Sequence, residues 1–188
     1  MNKTIMENGV PVGWFKETDL KIYWEAVMTC QPGDRVVELG SWLGRSASMV
    51  FPAVQKTGAK LTCIDLWAED YAAVLDLKEW MDSGVVPWEA FQENMKRLGI
   101  IDHIGILRMH SYKAAELFED DSVQVVYIDA DHSYAGVMKD IDAWYPKVKK
   151  DGWIMGHDFS IKGVRRAATE KLGQPHKRSG SSWGYQKK

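Results

Sequence analysis

The chain has 188 residues, 45% of them hydrophobic, and a formal net charge of −2; this supports one domain, residues 1–188, with a full core and no staples. It has no long basic tract, which excludes affinity for nucleic acid or an anionic membrane as a design feature, and a small or neutral ligand fits better. No signal-like apolar core opens the chain and no segment approaches the roughly 18 apolar residues of a membrane span; with only Cys30 and Cys63, read as reduced structural thiols, the expected location is cytoplasmic.

Leu20, Tyr23, Trp24, Val27 and Met28 recur at helical spacing after Thr18, which predicts a helix with Thr18 as N-cap, and Gln31-Pro32-Gly33-Asp34 is a turn. Residues 1–33 are thus an N-terminal helix or lid ahead of the first strand. Residues 35–39 read as that strand. A helix over 46–55 follows, with a kink at Pro52 and a stop at Gly58, and then a second strand over 60–64 ending at Asp65. Residues 66–102 exceed what one crossover helix requires and predict a helical insertion, with helices over 68–81 and 87–98 separated by Asp82-Ser83-Gly84. Its tryptophans, Trp67, Trp80 and Trp88, offer faces for a flat or sugar substrate, although core packing is the commoner fate of such residues. Strands over 104–109, 123–128 and 153–156 come next, with helices from about Tyr112 and Tyr134 between them. A helix over 162–172 and a last strand at Trp183-Gly184-Tyr185 complete the chain. This alternation predicts an α/β fold with a doubly wound, mostly parallel sheet and helices on both faces.

The run Glu38-Leu39-Gly40-Ser41-Trp42-Leu43-Gly44-Arg45-Ser46 turns from the first strand into the first crossover helix. This is where such a sheet binds a small ligand, and the helix start offers unpaired N–H groups to it. A dinucleotide loop needs glycine where Trp42 stands, and Glu38 would repel a diphosphate while attracting a sulfonium that also carries an ammonium. The loop therefore favours S-adenosylmethionine over a nicotinamide dinucleotide. Asp65, 25 positions after Gly40, is placed to accept the ribose hydroxyls of a nucleoside cofactor; capping of the next segment is the plain alternative.

With Glu38, Gly40 and Gly44 in the spacing of its first motif, the chain resembles the class I S-adenosylmethionine-dependent methyltransferases. That resemblance implies a Rossmann-like, seven-stranded sheet whose last strand is antiparallel. The expected cofactor contacts in the loop are Glu38, Gly40, Ser41, Trp42 and Gly44, with Arg45 and Ser46 at the helix start. Asp65 and Leu66 lie beyond the second strand. Ser111 is by resemblance the short polar residue near the adenine, and it also reads as N-cap of the helix from Tyr112.

A second constellation follows the fourth strand, Asp129-Ala130-Asp131-His132-Ser133, with Ser133 as helix cap, and Gly156-His157-Asp158-Phe159 repeats the arrangement after the fifth. Asp129 and Asp158 would then stand on adjacent strand ends, where they could share a divalent cation, with Asp129 also on the cofactor side. This is similar to the cation-dependent small-molecule O-methyltransferases. In them the matching aspartates, here Asp129 and Asp158, bind magnesium, and a basic residue at the position of His132 is the general base. The third protein ligand of the catechol-acting members is an asparagine, and Phe159 stands there instead, which leaves His157, Asp131 or water. His157 reads equally as a histidine satisfied by a neighbouring carbonyl.

The sequence therefore points to methyl transfer from S-adenosylmethionine, leaving S-adenosylhomocysteine, to a hydroxyl of a small aromatic, sugar or natural-product acceptor. Catalysis falls to His132, Asp129 and Asp158, with Mg2+ optional; neither nucleic acid nor membrane is a partner, and a homodimer is compatible. A dinucleotide-dependent oxidoreductase and a non-catalytic cofactor-binding protein are the alternatives.

Overall fold

A computed structural model describes residues 5–67 and 85–188. The helix expected over 68–81, the turn at 82–84 and Trp80 lie outside them. A short antiparallel hairpin, β1 (Met6–Glu7) and β2 (Val10–Pro11), precedes helix α1 (Glu17–Val27). The hairpin has no sequence signal beyond Asn8-Gly9. The cap of α1 differs from the expected Thr18: Lys16 holds the N-cap position, two residues earlier, and the Asp19 carboxylate accepts the Lys16 N–H at 2.9 Å. A carboxylate at this position stabilises the exposed donors of the first turn.

Strands β3 (Arg35–Leu39), β4 (Lys60–Asp65), β5 (Gly105–Arg108), β6 (Val123–Ile128) and β7 (Val148–Gly156) pair in parallel. A final hairpin, β8 (Lys177–Ser179) and β9 (Ser182–Gln186), lays β9 antiparallel against β7. The seven-stranded order is β5-β4-β3-β6-β7-β9-β8, the Rossmann-like arrangement that the alternation predicts. Helices α2 (Arg45–Thr57), α3 (Pro87–Arg97), α4 (Ser111–Ala114), α5 (Tyr134–Trp144) and α6 (Lys162–Leu172) complete the described elements. Among the described residues no helix is long and apolar enough to cross a membrane.

Alternation along the strands assigns the two faces. Val36, Leu61, Cys63, Val125 and Tyr127 meet Tyr23 and Val27 of α1, Ala47, Val50 and Phe51 of α2, and Phe91 and Met95 of α3. Val37, Leu39, Ile64, Val126 and Ile128 meet Ala114, Val137, Ile141, Trp144, Val164 and Ala168 on the other side. Each large apolar side chain buried there contributes about 1.5–3 kcal/mol. Helix α2 runs unbroken through the exposed Pro52 and ends at Gly58, φ 71°, as expected.

The chain lays β4 and β5 to one side of β3 and β6 and β7 to the other, so the ends of β3 and β6 flank the switch point where such sheets hold ligands. There the backbones approach closely. Gly40 N–H donates to Ile64 O at 2.7 Å, Asp129 N–H donates to Leu39 O at 2.8 Å, and a Cβ on Gly40 (φ 86°) would lie 2.0 Å from Asp129 O. Gly40→Ala should therefore cost about 3 kcal/mol or more of unfolding free energy. Gly9→Ala, at φ 81° with no atom within 4 Å of the added carbon, should cost only about 1–2 kcal/mol. Urea denaturation of the two variants tests the contrast, and equal losses would contradict it.

Candidate active site

The loop after β3 is built around a carboxylate with no solvent. Glu38 is fully buried, and neither of its oxygens has a hydrogen-bond partner; the Tyr23 hydroxyl and Ser41 Oγ nearby are likewise unpartnered. Burial pushes the Glu38 carboxyl up to about 7, against the lowering pull of the Ser41, Ser46 and Tyr23 hydroxyls and with a further push from Asp129. Those hydroxyls face the carboxylate without hydrogen-bonding geometry. A cluster of this kind is complementary to a cationic donor group that brings its own N–H bonds.

Gly44, φ 86°, makes the second tight step, and a Cβ there would lie 2.4 Å from Met95 Cε. Both glycines of the loop thus make room for the protein itself as well as for backbone conformation. Trp42 adopts φ 42°. Its N–H donates to Asp65 Oδ2 at 2.8 Å, its carbonyl accepts from Trp67 Nε1 at 2.7 Å, and its ring stacks on Trp14 with centroids 5.0 Å apart. The other Asp65 oxygen, Oδ1, accepts the Trp67 N–H at 2.8 Å. Asp65 therefore bonds the backbone on both oxygens, which fixes the carboxylate at the end of β4. Leu66 is exposed, and its carbonyl accepts from Arg108 Nε at 3.1 Å.

Arg45 differs from the expected cofactor contact. Its guanidinium donates to Phe15 O at 2.6 Å and Pro11 O at 2.8 Å, clamping the N-terminal segment onto α2. Ser111 also differs from the expected cap. His110 holds the N-cap position of α4, and Ser111 Oγ donates to Asp140 Oδ1 at 2.6 Å, while its carbonyl accepts from Trp144 Nε1 at 3.0 Å. Burial raises the Asp140 carboxyl to about 6; this buried acid carries no signal in the helix pattern around it.

Asp129, His132 and Asp158 converge. His132 Nε2 lies 3.2 Å from Asp129 Oδ1 and 3.4 Å from Asp158 Oδ2, and one ligand atom from each of the three falls within 4.8 Å of the others. Asp158 holds φ 56°, an uncommon backbone state for a non-glycine residue. Burial raises Asp129, partly opposed by His132 and His157; burial also pushes on Asp158, but the two imidazoles hold it below the usual carboxylate range. His132 is raised by its contact with Asp129.

Of the two expected reserve ligands, His157 turns its Nδ1 toward Asp158 and Asp129, and Asp131 is turned away to the start of α5. His157 is 7% exposed, with Nε2 3.3 Å from Asp19 Oδ2 and Nδ1 3.4 Å from Asp158 Oδ1. Burial lowers its pKa, but Asp158, Asp129 and Asp19 together raise it to about 9, so it is an imidazolium at neutral pH. Asp131 Oδ1 accepts the Ser133 N–H at 2.8 Å at the start of α5, where Ser133 Oγ accepts from Gly136 N as the expected cap. Asp19 and Tyr23, on α1, are the site neighbours that sequence reasoning missed. Helical spacing marks Tyr23 only as core, and nothing local sets Asp19 apart from other first-turn acids.

A family model described as a methyltransferase domain matches residues 37–159. No curated protein matches the chain. Among solved structures, the O-methyltransferase NovP is 18% identical, with 88% of this chain and 79% of that one covered and a TM-score of 0.62. A protein from Corynebacterium glutamicum is 13% identical, with 94% and 82% covered and a TM-score of 0.61. CalS11, a TDP-rhamnose 3'-O-methyltransferase of calicheamicin biosynthesis, is 12% identical, with 89% and 76% covered and a TM-score of 0.57. At these identities the likeness is one of fold.

The buried Glu38 makes a prediction about pH. Its folded pKa of about 7 lies above the ordinary 4.5, so the stability its protonated form contributes is whole below pH 4.5 and is lost as pH rises through 7. Glu38→Gln should match the wild type near pH 4 and exceed it by about 3 kcal/mol at pH 8. Urea denaturation of the cofactor-free proteins across this range checks the result, and a difference independent of pH would refute it.

Proposed function

The chain belongs to the S-adenosylmethionine-dependent methyltransferases, and from that premise we propose that it methylates a hydroxyl of a small acceptor molecule, with His132 as general base. The observation that carries the cofactor side is Glu38, a carboxylate sealed in the core with both oxygens unpartnered. A sulfonium brings the complementary charge to this loop and an ammonium brings charge and donors, whereas a diphosphate would meet like charge there and the Trp42 ring where a dinucleotide loop carries glycine. When bound, S-adenosylmethionine supplies an electrophilic methyl group.

The chain's own residues supply the rest. His132, with 38% of its side chain exposed, is open to an acceptor and can take the hydroxyl proton on Nδ1, the nitrogen turned away from the two carboxylates, while Asp129 beside Nε2 stabilises the imidazolium so formed. Asp129 and Asp158 on adjacent strand ends fit a divalent cation in spacing and ligand type. Such a cation would lower the cost of deprotonating an acceptor hydroxyl. His157 is a charged neighbour of both aspartates and Asp131 is bonded at the start of α5, so water would complete the coordination. CalS11 acts on TDP-rhamnose and NovP methylates oxygen; a hydroxylated sugar, aromatic or natural-product acceptor is the matching class here.

Calorimetry with S-adenosylhomocysteine should show binding that NADH does not, and the reverse pattern would refute the reading. Screening hydroxylated acceptors with a labelled methyl donor should reveal transfer that His132→Ala reduces by about 10²–10⁴-fold while S-adenosylhomocysteine affinity survives. If wild type binds the cofactor but transfers nothing to any hydroxyl, the O-methyl assignment fails. Titrated Mg2+ should bind the wild type and not Asp158→Ala; indifference of both removes the cation from the proposal.

A further inference from the structure

Three segments distant in sequence meet at one buried carboxylate. Asp19 on α1 is 2% exposed; it accepts Lys16 N–H at 2.9 Å at the start of its own helix and Ser181 N–H at 2.6 Å from the β8–β9 turn. Its Oδ2 also lies 3.3 Å from His157 Nε2, at ion-pair distance though off the line of a hydrogen bond. The opposite ring nitrogen, Nδ1, faces Asp158 Oδ1 at 3.4 Å and Asp129 Oδ1 at 3.7 Å. Phe15 covers the ring, with centroids 5.7 Å apart, and the His157 carbonyl is fixed by Trp183 Nε1 at 2.9 Å.

The far end of this chain of contacts is the strained residue. Asp158 sits at φ 56°, and the chain beyond it is held by Phe159 N–H donating to Ser181 O at 3.0 Å. An uncommon backbone state of this kind persists only where the surroundings over-determine it. Of the two Asp158 oxygens, Oδ1 faces the buried His157 and Oδ2 faces the half-buried His132 at 3.4 Å.

We propose that His157 and Asp19 are positioning residues that hold Asp158 by its Oδ1, so that Oδ2 stays turned toward His132 and Asp129. The proposal rests on the reading of Asp158 as part of the reaction centre, and it gives the two histidines different work. His132 meets the acceptor; His157 does not and acts through Asp158. It also couples the centre to the chain ends, because the carboxylate that steadies His157 is the one that docks α1 on the β8–β9 turn. Partners one step behind a metal ligand commonly change metal affinity 10–100-fold when removed.

The test compares wild type, His157→Leu, which has no ring nitrogen, and His157→Gln, which keeps a donor for Asp158. Mn2+ alone is titrated and followed by electron paramagnetic resonance, S-adenosylhomocysteine binding is measured by calorimetry, and each protein is crystallised. H157L should bind Mn2+ at least about tenfold more weakly, with H157Q recovering most of the loss and S-adenosylhomocysteine affinity unchanged in both. Its Asp158 Oδ2 should leave His132. Wild-type Mn2+ affinity in H157L overturns the proposal. If the wild type binds no Mn2+, the cation part of the proposed function fails by itself and the crystal structures decide this inference: an Asp158 carboxylate within about 0.5 Å of its native place in H157L overturns it, and a displaced one upholds it. If H157L does not fold, Asp19→Asn, which retains an acceptor for Ser181, carries both readouts under the same criteria.

Discussion

The parallel register of the central strands is the constraint from which the site follows. Leu39 pairs with Ile64 on one side and Ile128 on the other, and Ile128 pairs with Gly156. The next residue of each strand is therefore Gly40, Asp65, Asp129 or His157, one row across four neighbours that stand about 4.8 Å apart. The ladder runs on into that row: Gly40 donates to Ile64, Asp129 to Leu39 and His157 to Ile128. A one-residue slip in any of these pairings would turn a carboxylate out of the crevice and a core side chain into it. Gly40 is the position where the row is tightest, since any Cβ would collide with the Asp129 carbonyl.

Register alone would bring together more negative charge than a buried region tolerates. Glu38, Asp65, Asp129, Asp158 and Asp19 all gather at this end of the sheet, and each is satisfied differently. Asp65 is bonded by two backbone N–H groups, and Asp19 by two more. Asp129 and Asp158 share two imidazoles. Glu38 has neither oxygen partnered and is pushed up to about 7, the condition of a group whose partner arrives with a ligand. Stability given up at this one position matches the usual trade between a rigid fold and a site ready for a charged ligand.

Much of this was legible in the sequence because strands and their exits obey short-range rules. Short apolar, β-branched runs located the strands, the Gly40 and Gly58 turns located helix boundaries, and the polar residues that follow each strand marked the crevice. What could not be read depends on contacts across long sequence separations. The helix around Tyr23 was plain, but that its hydroxyl would face Glu38 follows from how α1 docks on the sheet. Asp19 looked like an ordinary first-turn acid, and its bonds to Ser181 and His157 cross more than a hundred residues. Arg45 stood at the helix start as an expected cofactor contact, and the N-terminal carbonyls of Pro11 and Phe15 accept from its guanidinium. Ser111 was a sound cap by local chemistry, and a buried acid on the neighbouring helix took its hydroxyl instead.

Those long-range contacts share a direction, since they all press on the loop between β3 and α2 or on the strand ends beside it. From α3, Met95 and Phe91 fill the space beside Gly44 and Asn94 Nδ2 donates to Leu43 O at 3.0 Å. From the N-terminal segment, Trp14 stacks on Trp42 while Arg45 ties Phe15 and Pro11 down. The glycines give this loop the shape a ligand needs, and glycine-rich backbone is by itself poorly determined. Bracing by segments outside the sheet removes that freedom before any ligand arrives, which lowers the ordering cost that binding would otherwise carry. The same segments leave Trp14 more than half exposed beside the crevice, so an acceptor that touches this aromatic wall also touches the structure that fixes the cofactor loop.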